Sequence, residues 1–389
     1  MHVVLLPSWY PGEHDPGNGI FFREQAQALA ASGAARVGVV APLLYGLRAG
    51  FRYLLRPPTA CERQFQGVTE LTQPQVLAGA GSARWRCYRF LRAGDALFEK
   101  YLQRYGRPDL LHAHGALYGG VLARHLSARH RIPYVVTEHS SLFLGAALPA
   151  FQHARAGEVY AGAAAALAPS ASFNRVLTVR YPRAGGWLTV PNPVYDGFFA
   201  LPLARDAGNI CRFLAIGSLV PGKGFDVLLS AFAEARSGGR RLRLALVGGG
   251  PLEATLRAQS TALGLDGVVT FRGQLSRDAV MAAMAETDFL VHASRQETFG
   301  LVVAEALAAG VPVLATRCGG PQDILWSGAG VLVDIDDAAA LANAMVKVCD
   351  DPKQFDRTAI RAACAARYSS AVVARQLRTI YESAVQERA

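Results

Sequence analysis

Phe289-Leu-Val-His292, followed by Glu297-Thr-Phe-Gly-Leu-Val-Val-Ala-Glu305, reads as a buried strand, a loop and a helix in immediate succession. The apolar run ending near Val291 has strand composition, and Leu301 to Ala309 has helical composition with no breaker before Gly310. The separation of Glu297 from Glu305 is about two helical turns, so Glu305 is expected roughly beneath Glu297 on one side of the element. The N–H groups of Thr298, Phe299, Gly300 and Leu301 would then lie at a helix N-terminus, where donors lack intrahelical acceptors and favour an anion. Two carboxylates beside an anion hole suit a ligand that carries both hydroxyls and phosphates. The plainer alternative makes Glu297 a first-turn acid favoured by the helix dipole and Glu305 a solvated helix residue.

The same strand–loop–helix unit recurs along the chain. Val3 to Leu6, Val37 to Ala41, Leu110 to Ala113 and Tyr134 to Thr137 read as short buried strands separated by helical stretches. After Pro191-Asn-Pro193 the series restarts with Arg212 to Ile216, Leu242 to Val247, Val268 to Arg272, Phe289 to His292 and Val311 to Ala315. Such alternation predicts parallel sheets covered by helices, an α/β fold, and two series predict two doubly wound domains. The expected boundaries are 1–195 and 196–371, with a C-terminal helix at about 372–389 returning to the first domain. In such folds ligands bind beyond the carboxyl ends of strands, which in a two-domain protein predicts a site in the cleft.

Composition agrees with a folded α/β protein: 389 residues, 51% hydrophobic and 18% charged. No apolar segment reaches the roughly 20 residues of a membrane helix. Met1-His-Val-Val-Leu-Leu-Pro7 lacks the basic flank of a signal peptide and reads as a first strand. The six cysteines show neither metal-ligand spacing nor a regular disulfide pattern, so a cytoplasmic setting is expected. Residues 1–195 hold 20 Lys+Arg against 10 Asp+Glu, and residues 196–389 hold 20 of each, so the net charge of +10 lies in the first half. Part of it is Arg84, Arg86, Arg89, Arg92, Lys100, Arg104 and Arg107, interleaved with Trp85, Tyr88, Phe90, Leu91, Phe98 and Tyr101. Arg48, Arg52 and Arg56 with Phe51, Tyr53, Leu54 and Leu55 repeat the combination. Basic, aromatic helical segments suit an anionic membrane surface, here the inner face of the plasma membrane; the competing reading is a solvated helix face with its aromatic side on the core. No nucleic-acid-binding motif accompanies the charge, so no nucleic-acid partner is expected.

The loops at strand ends carry the chemistry. Pro16-Gly-Asn-Gly-Ile20 precedes a helix from Arg23 to Ala31, and Gly17 and Gly19 would let the backbone approach a phosphate, although a plain turn explains them equally. Gly217-Ser-Leu-Val-Pro-Gly-Lys-Gly224 precedes a helix from Phe225 to Ala235, which sets Lys223 to place its ammonium over a diphosphate. This loop lacks the NTPase P-loop pattern.

Taken together, these segments resemble the family 4 retaining glycosyltransferases of bacterial polysaccharide type. The resemblance extends over nearly the whole chain, through Asp109-Leu-Leu-His-Ala-His114, Thr137-Glu-His-Ser140, Val190-Pro-Asn-Pro-Val194, Lys223-Gly-Phe-Asp-Val-Leu-Leu229, Val247-Gly-Gly-Gly-Pro-Leu252, Glu297 to Glu305 and Cys318-Gly-Gly-Pro321. It implies the GT-B fold, two facing Rossmann-like domains with a central cleft, and a closing motion that excludes water, with the last helix part of the hinge. It implies that Glu305 accepts from the nucleotide ribose and Glu297 from donor-sugar hydroxyls. The amides of Phe299, Gly300 and Leu301 would hold the diphosphate with Lys223, and Gly19 would approach the same phosphates. His114 is expected to face the donor sugar and reaction centre, with His112 too deep to reach it; Glu138 and His139 are expected on the acceptor side. No metal and no cofactor are expected, and retention would proceed by front-face internal return.

One position departs from the family. Relatives carry Arg where Ser218 stands, and the loss removes a charge-assisted contact of about 1.5 to 3 kcal/mol. Arg295 or Arg317 is expected to compensate; otherwise donor binding weakens or activity is lost. The expected reaction moves a hexose from a nucleotide sugar, GDP-mannose first and a UDP-sugar next, to a glycan or lipid-linked acceptor in surface polysaccharide assembly. Alternatives are a transferase making a soluble glycoside and a catalytically silent partner subunit that binds nucleotide sugar; an epimerase is disfavoured by the two-carboxylate motif.

Overall fold

The computed structural model describes residues 1–13, 15, 17–33, 35–46, 59–77, 82–145, 148–203 and 210–387. The basic group at Arg48, Arg52 and Arg56 lies outside the described residues. The chain divides into two compact units, Met1–Pro193 with Ser370–Ala389, and Val194–Ser369.

The first unit is built on an eight-stranded sheet of order β3-β4-β2-β1-β5-β6-β7-β8. Its strands are β1 (His2–Pro7), β2 (Arg36–Gly46), β3 (Cys61–Phe65), β4 (Val68–Leu77), β5 (Leu110–His114), β6 (Tyr134–Thr137), β7 (Ala165–Ala168) and β8 (Leu188–Thr189). All pairs are parallel except β3 on β4. The helices are α1 (Ile20–Ala31), α2 (Ala83–Tyr105), α3 (Val121–His130), α4 (Ala150–Gly162) and α5 (Ala171–Arg180), joined by the C-terminal helix Ser370–Gln386.

Helix α2 shows how the sequence divides its faces. Ser82 caps it by accepting from the Trp85 amide, and the chain leaves it at Gly106. Phe90, Leu97, Phe98 and Tyr101 recur at helical spacing and are buried, whereas Trp85 and Tyr88 stay 45% and 48% exposed among the arginines.

The second unit carries a six-stranded, all-parallel sheet of order β11-β10-β9-β12-β13-β14. Its strands are β9 (Cys211–Ile216), β10 (Leu242–Val247), β11 (Val269–Phe271), β12 (Phe289–His292), β13 (Val313–Thr316) and β14 (Gly330–Val333). Between and after them run α6 (Phe225–Arg236), α7 (Glu253–Ala262), α8 (Arg277–Ala285), α9 (Leu301–Ala308), α10 (Gly320–Ile324), α11 (Ala338–Asp350) and α12 (Arg357–Tyr368). Counted from β9, the strand order is 3-2-1-4-5-6, the doubly wound Rossmann arrangement, with its reversal between β9 and β12.

Several strands escaped the sequence pattern, each for a visible reason. All five residues of β3 are exposed, so it shows no buried face. Strand β7 is Ala-Ala-Leu-Ala, a composition that favours helix, and pairing with β6 and β8 holds it extended. The cysteine spacing also missed a bond: Cys211, at the start of β9, is joined to Cys349 near the end of α11, 138 residues away. Such pairing depends on spatial approach, which the fold supplies and spacing does not.

The C-terminal helix buries Val373, Ala374, Leu377, Tyr381 and Ala384 in a cluster with Leu110, Val135 and Leu167 of the first unit. Its polar anchor is Tyr381, whose hydroxyl lies 2.7 Å from His112 Nδ1, while His112 Nε2 lies 2.8 Å from Thr137 Oγ1. Burial drives the His112 imidazole down to about 3, so the ring is neutral at pH 7, donating to one hydroxyl partner and accepting from the other. Tyr381→Phe leaves a fully buried ring nitrogen without its partner. It is expected to cost about 1 to 3 kcal/mol, read as a lowered unfolding midpoint with unchanged far-ultraviolet circular dichroism.

Candidate active site

Reversal of strand order between β9 and β12 splays the loops that follow them, and in the second unit Lys223, Glu297 and Gly300 come together there. The loop after β9 is pressed onto the end of β12. A Cβ on Gly224, at φ 63°, would stand 2.0 Å from the Ala293 carbonyl oxygen, so this approach requires glycine. The Arg295 amide donates to the Gly222 carbonyl at 2.8 Å. The Arg295 guanidinium donates to both Asp226 carboxylate oxygens at 3.1 and 2.8 Å, to Asp336 at 2.7 Å and to the Pro221 carbonyl at 2.5 Å. Arg295 is therefore the clamp of the lysine loop, not the expected substitute for an arginine at 218. Arg317 pairs with Asp334 at 3.4 Å on the exposed surface.

Held this way, Lys223 Nζ donates to Glu297 Oε2 at 2.6 Å. His292 Nε2 stands 3.4 Å from the same oxygen, and Lys223, His292, Ile216, Phe225 and Ser294 line a small cavity at the strand ends. Burial pushes the Glu297 carboxyl up, but His292 and the Lys223 ammonium outweigh it and hold the group down at about 2. Its backbone is fixed as well: the Glu297 amide donates to the Cys318 carbonyl at 2.9 Å and the Gly320 amide to the Glu297 carbonyl at 3.0 Å.

Helix α9 starts at Leu301, where the composition of that stretch predicts it, which takes away the shared helix face expected for the two glutamates. Gly300, at φ 91°, is its N-cap, so Glu297 belongs to the loop and the two glutamates do not share one helix face. Phe299 packs its ring at 5.9 Å from Tyr368 and is 3% exposed, which leaves its backbone amide as what it can offer a ligand. With Gly300 and Leu301 it forms the helix start, where N–H groups lack intrahelical acceptors. Glu305 is 3% exposed and is met by Arg277 Nη1 at 2.5 Å from Oε1. Ser218 is exposed between two backbone anchors, Gly217 N to Val247 O and Leu219 N to Gly249 O, both 3.0 Å.

In the first unit, β1 and β5 are adjacent and pair Pro7 with His114. Gly19 caps α1, with Trp9 packed against it. His114 Nδ1 lies 3.1 Å from His139 Nε2, and the Phe22 ring lies 4.7 and 5.0 Å from the two imidazoles. Burial, then the neighbouring His112 and His139 rings, hold His114 well below the usual histidine range; burial likewise takes His139 to about 3. His114 Nε2 has no hydrogen-bond partner among the described residues. Glu138, expected on the acceptor side, directly follows β6. It is fully buried and accepts from the amides of Ala116, His139 and Ser140 at 2.8 to 2.9 Å and from the Tyr160 hydroxyl at 2.6 Å. Burial pushes this carboxyl up, and its four donors tie the β5 and β6 loops together.

Sequence reasoning missed Arg277, His292 and a triad in which buried Tyr10 and half-buried Arg23 donate to Glu70 at 2.6 and 2.7 Å and hold the first loop to β4. None sits in a recognisable pattern, because each partner is supplied by a different element. Among the described residues no helix is long and apolar enough to cross a membrane, and no cluster of three or more His, Cys, Asp or Glu side chains is placed to hold a metal ion.

Comparison with known proteins agrees with this geometry. Residues 17–193 match the family described as glycosyl transferase 4-like domain and residues 210–363 match glycosyl transferases group 1. A D-inositol 3-phosphate glycosyltransferase of Corynebacterium efficiens is 36% identical over 177 residues, 43% of this chain and 42% of that protein's length. The putative teichuronic acid biosynthesis glycosyltransferase TuaC of Bacillus subtilis is 25% identical over 368 residues, 89% of each chain. The Anabaena protein HepE, solved with UDP and glucose, superposes with a TM-score of 0.73 at 19% identity, covering 98% of this chain and 100% of that one. With one glycosyltransferase family matched by each of its two Rossmann-like units, the chain belongs to the family 4 type of GT-B glycosyltransferases.

Proposed function

We propose that the protein moves a hexose, with retention, from a nucleotide sugar to a glycan or lipid-linked acceptor in surface polysaccharide synthesis, without a bound metal. The observation that carries this reading is the Lys223–Glu297 pair, 2.6 Å long, at the strand-order reversal and beside the start of α9. It puts a cation, a carboxylate and free-ended helix amides at one place, which is what a sugar diphosphate needs.

In this reading Glu305 accepts from the ribose hydroxyls and Glu297 from hydroxyls of the donor sugar. The amides of Phe299, Gly300 and Leu301 donate to the diphosphate, and Lys223 offsets the charge that grows as the C1–O bond breaks. The departing phosphate oxygen takes the proton of the acceptor hydroxyl while that hydroxyl's oxygen bonds C1 from the same face, so configuration is kept. His114, neutral and with Nε2 unpartnered among the described residues, is suited to a hydroxyl of the reacting sugars rather than to a charge. Gly19 and His139 complete the first unit's contribution. GDP-mannose is the donor proposed first and a UDP-sugar the next; the polysaccharide assignment draws support from the teichuronic acid relative.

The exposed face of α2 suggests how a lipid-linked acceptor is reached. Trp85 and Tyr88 stack at 5.7 Å, with the Arg89 and Arg92 guanidinium groups 6.0 and 5.9 Å from their rings. Aromatic rings interleaved with arginine suit the interface of an anionic bilayer. A soluble acceptor is the second reading, favoured by the relative named for D-inositol 3-phosphate.

Three outcomes are expected. One of UDP, GDP, ADP or TDP raises the unfolding midpoint, and Glu305→Ala abolishes the shift; no shift with any of them removes the donor assignment. Lys223→Met lowers kcat roughly 100- to 1,000-fold, whereas Ser218→Arg tightens the diphosphate about tenfold or more, both read by turnover and calorimetry with the donor found in the first experiment. Binding to vesicles of anionic phospholipid falls with salt and with Arg86→Glu plus Arg89→Glu; undiminished binding discards the α2 face, and no binding at all favours the soluble acceptor.

A further inference from the structure

Glu305 is buried on a helix whose other residues, Leu301-Val-Val-Ala304 and Ala306-Leu-Ala308, are apolar. A carboxylate taken out of water needs a cation or several donors, and the side chains of these apolar neighbours offer neither. Arg277 supplies the cation from the first residue of α8, whose Ser276 cap accepts from the Ala279 amide at 3.3 Å. Its Nη1 lies 2.5 Å from Glu305 Oε1, and its guanidinium carbon lies 5.7 Å from the Tyr195 ring centre and 5.4 Å from that of Phe198. Two rings and a carboxylate thus fix the plane and direction of one guanidinium. An ionised carboxylate has about four acceptor sites, so the Arg277 contact does not by itself exhaust the group.

We propose that Arg277 is the positioning residue for ribose recognition: it holds the Glu305 carboxylate in the orientation that accepts from the 2′- and 3′-hydroxyls, so that selection of ribose over 2′-deoxyribose belongs to the Arg277–Glu305 pair and not to Glu305 alone. The inference rests on the reading of Glu305 as the ribose-binding group. Lysine is no equivalent here, because a point charge on a flexible stem neither stacks on the two rings nor fixes a direction. Arg277 touches the carboxylate and acts on the nucleotide through it, which separates its role from that of Lys223.

The test compares UDP with dUDP, GDP with dGDP and ADP with dADP by calorimetry on the full chain, using the wild type, Glu305→Gln, Arg277→Met and Arg277→Lys. The wild type is expected to prefer the ribose form of its nucleotide by about 10- to 100-fold. Glu305→Gln and Arg277→Met should both bring that ratio towards one, with Arg277→Met retaining affinity for the 2′-deoxy form within a few-fold. Arg277→Lys should fall between, and it serves in place of Arg277→Met should the latter not fold. A ratio that collapses in Glu305→Gln yet stays at the wild-type value in the Arg277 variants overturns this inference and leaves the ribose reading standing. A wild-type ratio near one, or no nucleotide binding, overturns both.

Discussion

A carboxylate removed from water is tolerable only when a cation or a set of N–H and O–H donors replaces its hydration, and the functional positions of this chain are organised around that requirement. Glu297 is met by Lys223, Glu305 by Arg277 and Glu70 by Arg23 with Tyr10. Glu138 has no cation among its described partners and is held by three amides and a phenol. These solutions have different consequences. A carboxylate saturated by fixed backbone donors is a structural tie, whereas one met by a side-chain cation has a partner that is able to rearrange.

The first unit applies the reverse logic to its histidines. His112, His114 and His139 are buried close together, and burial keeps all three far below the usual range. A protonated ring there would have to shed its hydration beside two others, so the cluster is neutral at physiological pH. Within it the hydrogen-bond inventory separates the roles. His112 spends both nitrogens on Tyr381 and Thr137, which makes it a fastener for the C-terminal helix, while His114 spends one on His139. In the proposed function, a neutral imidazole at a strand end would exchange hydrogen bonds with sugar hydroxyls without carrying a charge.

How much of this was legible in the sequence follows from which interactions are local. The parallel strands with apolar runs, such as Val37 to Ala41 and Phe289 to His292, were readable because burial on both faces leaves a continuous hydrophobic signature. The glycine-flanked Lys223 loop and the Glu297 segment were readable because a phosphate-compatible helix start constrains neighbouring residues. Strand β7 was not, since alanine favours helix until β6 pairs with it. Arg277 was not, because what selects it is a carboxylate 28 residues later together with two aromatic rings from another segment. Arg295 was read with the wrong partner: it lies close to Glu297 in sequence, yet two aspartates and a carbonyl claim it.

That last assignment bears on how the second unit manages with serine at 218. Withdrawing Arg295 towards a ligand would strip Asp226 and Asp336 of their counter-charge and release the Pro221 carbonyl, loosening the very loop that presents Lys223. Its pairing with the loop therefore fixes it as scaffold. Lys223 is left as the cation of that loop aimed at the strand ends, and without a ligand Glu297 already neutralises it. In the proposed function a diphosphate entering there would compete for an ammonium that a carboxylate holds, and the exchange would be more favourable when Glu297 gains new donors at the same moment. Sugar hydroxyls are such donors. On the proposed function, the Lys223–Glu297 pair would couple phosphate binding to sugar binding: a bare nucleoside diphosphate engages the lysine alone, whereas a nucleotide sugar offers partners to both groups.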